Sequence, residues 1–326
     1  MHEIALLLTD GFIGGGATGM LDVLQFANRL AARGGAPLFR WRLLSADGGM
    51  VVSSSGVRLA ADGDFASAAQ ADTLALAPFI YRDLAELEAR LTRLRGLGER
   101  LHRWQAEGKR VMSHCTGVAL LAESGLLEQR AATISWWLLP WFRSRYPQAR
   151  LQPYAMLTED AGVICGGATT AYLNLALRLV EQYGGADLAL ACARLMLVDA
   201  NRVSQAPYAS LQDFSGHDDE LVLRCQHWLL DNLRQPYRLA SLAQAAGASE
   251  RTLMRRFGQV LGQTPLQYLQ QLRLDSARRM LEGTALSLDE IVERVGYHDA
   301  GTFRRLFSRE LRCTPAEYRR RFGRAD

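Results

Sequence analysis

The chain has 326 residues, more than one domain usually takes, so two domains are the natural expectation. Its 48% hydrophobic, 8% aromatic and 22% charged residues are ordinary globular values and exclude disordered and fibrous classes. The net charge of +4 is uneven: residues 1–216 hold 20 basic and 20 acidic side chains, whereas Arg238–Asp326 holds 16 and 10, which points to an anionic partner for the C-terminal end.

No apolar run reaches the roughly 18–20 residues that a membrane span needs. Met1–Leu8 lacks a basic flank and a small-residue cleavage site, so it reads as a first strand rather than a signal peptide. A cytoplasmic protein without a membrane partner is expected. The five cysteines, at 115, 165, 192, 225 and 313, form no CxxC pair, which argues against a disulfide framework and a zinc ribbon. No metal and no cofactor are expected.

In chain order, strand-like runs fall at Ile4–Leu8, Trp41–Ser45, Thr73–Ala77, Arg110–Ser113 and Gly162–Cys165. Helix-like segments lie between and after them at Met20–Ala32, Leu84–Ala106, Gly117–Ser124 and Thr169–Tyr183. The alternation predicts an α/β domain with a mainly parallel, flavodoxin-like sheet covered on both faces.

Within it, Lys109–Ser113 passes through His114, Cys115 and Thr116 directly into the helix that begins at Gly117. A cysteine at a strand-to-helix turn, with glycine two residues on, has the shape of a nucleophile elbow. A helix N-terminus there would lower its thiol pKa and present free N–H groups to a ligand carboxylate. The plainer alternative is a small buried hydrophobe. Trp136, Trp137, Trp141, Phe142 and Tyr146 form an aromatic cluster, either as helix packing or as a wall able to hold a cation.

Cys115-Thr116-Gly117, Leu121–Leu127 and Ala132–Trp136 resemble the ThiJ/PfpI group, which is related to class I glutamine amidotransferases. The resemblance implies a histidine before Trp136 and an acid near the end of the first strand as partners of the cysteine. Here the first position is Ser135, and Gly11–Met20 contains no carboxylate. A cysteine without base and acid is poorly activated, so no catalytic residue is assigned. The expected ligand-site residues are Gly15, Gly16, Cys115, Thr116, Ser135, Trp136 and Trp137. A hydrolase or glyoxalase-like enzyme tethered to DNA is the alternative, and the two departures count against it.

The periodic pattern breaks over 205–218, where Pro207 and the polar stretch Gln212–His217 predict a linker between domains spanning 1–204 and 219–326. The second domain contains a repeat. Leu242–Gly247 aligns with Ile291–Gly296, Thr252–Phe257 with Thr302–Phe307, Thr264-Pro265 with Thr314-Pro315, and Tyr268 with Tyr318. The offset grows from 49 to 50 residues within the turn, a one-residue insertion. Each unit reads as helix, glycine-containing turn, helix, the layout whose second helix enters a major groove. Thr264 and Pro265 open a connecting helix of about 18 residues, or roughly 27 Å, that runs to about Glu282 and is stopped by Gly283. Two readers about one DNA turn apart are therefore expected.

The outward faces of the two second helices offer Glu250, Arg251, Thr252, Arg255 and Arg256, then Ala300, Gly301, Thr302, Arg304 and Arg305. Arginine can grip guanine bidentately, and threonine or small residues can meet thymine methyls. Asp219–Phe322 resembles the AraC-type DNA-binding domain, carried by Leu272–Leu274, Ala277–Leu281, Val295–Tyr297 and Phe303–Phe307. The resemblance implies base contacts at Arg251, Met254, Arg255, Ala300, Gly301, Thr302 and Arg305. It also implies glycine at the position of Arg312. Joined to the ThiJ/PfpI-like region, the layout resembles that of GlxA-type transcriptional regulators. That likeness implies double-stranded promoter DNA, a small metabolite such as an amino acid or quaternary ammonium compound, a second copy of the chain, and RNA polymerase as partners. A candidate dimer helix follows Gly185.

Overall fold

The computed structural model describes residues 1–31, 36–199, 204–208 and 219–323. They form two compact units, Met1–Gln205 and Ala206–Asp326.

In chain order the strands of the first unit are β1 (His2–Leu7), β2 (Phe39–Ser45), β3 (Met50–Val52), β4 (Arg58–Ala60), β5 (Gly63–Asp64), β6 (Thr73–Leu76), β7 (Arg110–His114), β8 (Ala131–Ala132), β9 (Arg150–Leu151), β10 (Leu157–Asp160) and β11 (Val163–Gly166). Seven of them build one sheet in the order β10-β11-β7-β6-β1-β2-β5. Pairing is parallel throughout except at the edge, where β10 runs antiparallel to β11. The helices are α1 (Gly14–Ala31), α2 (Leu84–Arg93), α3 (Arg95–Ala106), α4 (Gly117–Glu123), α5 (Leu139–Arg145), α6 (Tyr172–Gly184) and α7 (Ala186–Leu195). The core runs from Ile4, Leu6 and Leu8 of the central strand into Met20, Val23 and Leu24 of α1 and Leu175, Leu179 and Val180 of α6. Buried parallel strands read as continuous apolar runs, which is why all five expected strands carry the sheet.

Two expectations are corrected. The segment Leu84–Ala106 is two helices, because Leu94 leaves helical geometry between them. The short strands β3, β4, β5, β8, β9 and β10 went unforeseen. They are two to four residues long, too short to show a period.

The second unit has α8 (Glu220–Asp231), α9 (Leu239–Ala246), α10 (Glu250–Leu261), α11 (Pro265–Gly283), α12 (Leu288–Arg294), α13 (Ala300–Leu311) and α14 (Pro315–Phe322). Its starts are set by local caps. Ser249 accepts from Thr252 N, Asp299 from Gly301 N and Thr302 N, and Thr264, Ser287 and Thr314 each close a capping box. Gly247 and Gly262 take left-handed φ values of 67° and 65°, and Arg312 adopts the same region at 57°, so the arginine keeps the turn that glycine makes in the first repeat. α11 ends at Gly283, within a residue of the expected end, and its cap is Thr284, while Gly283 takes no left-handed φ.

Of the expected linker, residues 209–218 lie outside the described residues. Gln205 is buried in the first unit, and Ala206–Tyr208 forms a single 3-10 turn in the second.

Candidate functional site

The reading helices α10 and α13 are amphipathic by construction. Leu253 and Phe257 of α10, and Phe303, Leu306 and Phe307 of α13, are buried. Helical spacing then turns Arg251, Thr252, Met254 and Arg255 outward on α10, and Thr302, Arg304 and Arg305 on α13, all exposed. Ala300 and Gly301 are half-buried at the start of α13. The guanidinium of Arg305 donates to Thr302 Oγ1 at 2.9 Å, so these two form one polar patch. Arg256 differs from its neighbours, since it pairs with Asp219 at 2.5 Å, at the cap of α8. The Asp219 carboxyl is held below the usual carboxylate range, first by the Val222 N–H and then by Arg256.

α11 joins the two halves. With 19 residues at about 1.5 Å each it spans roughly 28 Å. It buries two arginines. Arg273 donates to the carbonyls of Leu233 (2.9 Å) and Gln235 (2.8 Å). Arg278 donates to Tyr318 Oη at 3.0 Å and to the Pro207 carbonyl at 2.6 Å.

In the first unit the elbow is present. Cys115 takes a left-handed φ of 52°, a strained value for a residue with a Cβ. Its N–H donates to the Gly166 carbonyl at 2.9 Å. Gly117 is required because a Cβ there would lie 2.1 Å from Ser113 Oγ. The buried Cys115 sulfur hydrogen-bonds Thr169 Oγ1 at 3.5 Å, a partner that the sequence reading missed. His114 lies against Gly16 and the Tyr172 ring. Burial lowers its pKa to about 3, so it is neutral, and both of its ring nitrogens are without a hydrogen-bond partner among the described residues.

The other expected ligand-site residues separate. Gly15 opens onto free space, whereas Gly16 makes room for His114, since a Cβ there would sit 3.0 Å from its Nε2. The hydroxyl of Thr116 is committed, donating to the Phe79 carbonyl at 2.6 Å and accepting from the Phe79 N–H at 2.9 Å. The expected free N–H groups at the start of α4 are partly consumed, because Val118 N and Ala119 N donate to the carbonyls of Cys115 and Thr116. Ser135 is fully buried, and its Oγ has no hydrogen-bond partner among the described residues.

The aromatic cluster divides in two. Trp136 and Trp137 stack edge to face at 5.5 Å. Trp141 instead donates to Glu88 at 2.9 Å, Tyr146 to Glu123 at 2.7 Å, and Phe142 is buried, so these three serve packing. A third ring joins the tryptophans from a distant strand end. Tyr81 lies beside Trp137 and Cys115, and burial raises its phenol pKa, with Cys115 adding to the rise. No sequence signal marked Tyr81. Among the described residues no cluster of three or more His, Cys, Asp or Glu could hold a metal, and no helix is long and apolar enough to cross a membrane.

This geometry defines a helix-turn-helix DNA-binding protein with an α/β unit of DJ-1/PfpI type. A helix-turn-helix domain model matches residues 242–321. The HTH-type transcriptional regulator GlxA of Rhizobium meliloti is 30% identical over 326 residues, covering 99% of this chain and 97% of its own length. The HTH-type transcriptional regulator CdhR of Pseudomonas aeruginosa is 29% identical over 324 residues, covering 98% and 91%. The solved structure of DJ-1beta from Drosophila melanogaster aligns with a TM-score of 0.50 at 17% identity, over 61% of this chain and 98% of that one, which shows the fold of the N-terminal part. The chain belongs to the family of HTH-type transcriptional regulators that includes GlxA.

Proposed function

We propose that this regulator is a cytoplasmic dimer whose domain 1–204 holds a small metabolite without turning it over, and whose domain 219–326 reads two successive major grooves of promoter DNA. The observation that carries the metabolite reading is Ser135. A buried hydroxyl without a partner costs about 1–3 kcal/mol, and a ligand group in its place would remove that cost. Trp136, Trp137 and Tyr81 supply ring faces suited to the cationic end of an amino acid or a quaternary ammonium compound. Cys115 bonds a threonine hydroxyl, and its neighbour His114 is a neutral, buried ring packed against Gly16, which supports a non-catalytic cysteine.

DNA contacts are proposed at Arg251, Thr252, Met254, Arg255, Ala300, Gly301, Thr302, Arg304 and Arg305. Arg256 joins them only by leaving Asp219. The roughly 28 Å length of α11 supports readers about one helical turn apart. For dimerisation, α7 presents Leu190 and Leu195, 43% and 56% exposed. RNA polymerase as a partner follows from the regulator reading alone.

The test titrates the full chain with glycine betaine and a panel of amino acids while following tryptophan emission and affinity for promoter DNA of its own locus. One of these compounds should change both, and Cys115→Ser should retain the response. Cysteine-dependent amidase or glyoxalase turnover would overturn the sensor reading, and a monomeric mass by light scattering at micromolar concentration would overturn the dimer.

A further inference from the structure

Within the second unit, four helices enclose a groove of about 590 Å3, a volume inside the roughly 300–1,000 Å3 range of small-molecule sites. Its floor is apolar. Leu281 comes from the end of α11, Leu288 from the start of α12, and Pro315 and Ala316 open α14. Its rim is arginine. Arg304 stands on α13, and Arg319 and Arg320 follow Ala316 by three and four residues, which puts them on the same face of α14.

No carboxylate lines the groove. Four acids of the surrounding helices are engaged elsewhere. Glu290 and Glu317 accept from Ser287 and Thr314 in the capping boxes of α12 and α14, Glu282 accepts from Tyr318 Oη, and Glu310 pairs with Arg309. Among the described residues none of the three rim arginines has an ion-pair partner. Arg319 is only partly satisfied, since one of its terminal nitrogens donates to the Leu286 carbonyl, whereas its buried Nε has no hydrogen-bond partner among the described residues. Guanidinium groups short of acceptors, set around an apolar floor, match a ligand with an anionic end and an apolar body. A DNA phosphate would use the arginines and leave the floor wet, whereas such a ligand uses both.

We propose that this groove is a second ligand site, for an amphipathic anion of the aliphatic carboxylate type. The tail lies on Leu281, Leu288 and Pro315, and Arg319 and Arg320 hold the carboxylate. Arg304 belongs both to the rim and to the outward face of α13, so occupancy competes with DNA. The site is independent of the metabolite reading of the first unit, and only the competition rests on the DNA contact proposed at Arg304.

The test titrates the full-length chain with dodecanoate by calorimetry, below micelle-forming concentration. Acetate supplies the head without the tail, and dodecyl maltoside the same tail under an uncharged head. Saturable binding of dodecanoate is expected, matched by neither control. Arg320→Gln should weaken it about ten-fold, as for the loss of one charged hydrogen bond, and Ala316→Trp should fill the groove and block it. Circular dichroism and thermal melting establish that each variant is folded, and Arg320→Gln, an exposed position, carries the test if Ala316→Trp does not fold. Fluorescence anisotropy on promoter DNA of its own locus reads the competition. Saturating dodecanoate should raise Kd about five-fold or more in the native chain, the lower end of site-to-site coupling, and not in Ala316→Trp. Absence of saturable binding overturns the site, and so does binding undiminished by either substitution. Equal binding of dodecyl maltoside overturns the anion. If Arg320→Gln leaves dodecanoate binding intact but weakens DNA binding with a shallower salt dependence, the rim serves phosphates and the proposal falls. Dodecanoate bound in the groove with DNA affinity unchanged keeps the site and overturns the competition.

Discussion

Arg273 and Tyr297 hold the two halves of the DNA-binding unit in one geometry. Arg273 stands mid-way along α11, donates to two carbonyls of the α8–α9 connection, and places its guanidinium carbon 5.2 Å from the Tyr297 ring centroid, in the turn of the second repeat. Gly296 makes this approach possible, because a Cβ there would lie 2.8 Å from the Arg234 backbone. Desolvation lowers the Arg273 pKa, yet the carbonyls and the ring face stabilise its charge.

Arg273→Ala should therefore destabilise the C-terminal unit by about 2–4 kcal/mol, since it removes two charged hydrogen bonds and leaves two carbonyls without their donor. Urea denaturation followed by circular dichroism measures this. A loss below about 0.5 kcal/mol would mean the arginine is merely tolerated there.

Arg251→Ala and Arg305→Ala should each weaken specific DNA binding by about 1–3 kcal/mol, the range for a good bidentate base contact. Footprinting should show each loss at a different half-site about one helical turn apart. Loss of protection at a single half-site in both variants would refute the two-reader arrangement. Arg256→Ala should cost less than Arg251→Ala, because in the free protein its guanidinium is already paired with Asp219.

Gly117→Ala should destabilise the N-terminal unit by about 1–3 kcal/mol through overpacking against Ser113 Oγ, 2.1 Å from the added methyl. Adding Ser113→Ala removes that oxygen, and the double variant should recover part of the loss. If thermal melting shows additive destabilisation instead, the clash is not the cause.

His114 gives the stability a pH dependence of definite sign. Its folded pKa of about 3 lies below the ordinary 6.5, so between those values the unfolded chain binds a proton that the folded chain does not. Stability from this group is full above pH 6.5 and falls as the pH drops toward 3, with a slope of up to about 1.4 kcal/mol per pH unit. His114→Phe should remove one proton from the unfolding linkage between pH 6 and pH 4. Identical slopes in denaturation curves of the two proteins would show that the imidazole titrates normally.

What could be read along the chain was local. The repeat announced itself because caps act over three residues, from Ser249 to Thr252, Ser287 to Glu290 and Thr264 to Gln267, and because the inward faces of α10 and α13 return every three or four residues. The Cys115 turn was legible for the same reason, as strand, turn and helix follow within nine residues, and the continuous apolar runs of buried parallel strands revealed the sheet. The tertiary structure decided which residues meet at the turn. Tyr81 and Thr169 reach the Cys115 neighbourhood from 34 and 54 residues away, and Gln205 reaches Trp136 across 69. Folding also spent the Thr116 hydroxyl on Phe79 and Arg256 on Asp219, turning two candidate contacts into structural ones. A hydrogen-bonding side chain carries no mark in the sequence of where its partner lies, because the partner is chosen by strand order and loop path. Periodicity and capping are properties of neighbouring residues, whereas a site is a property of the packed sheet.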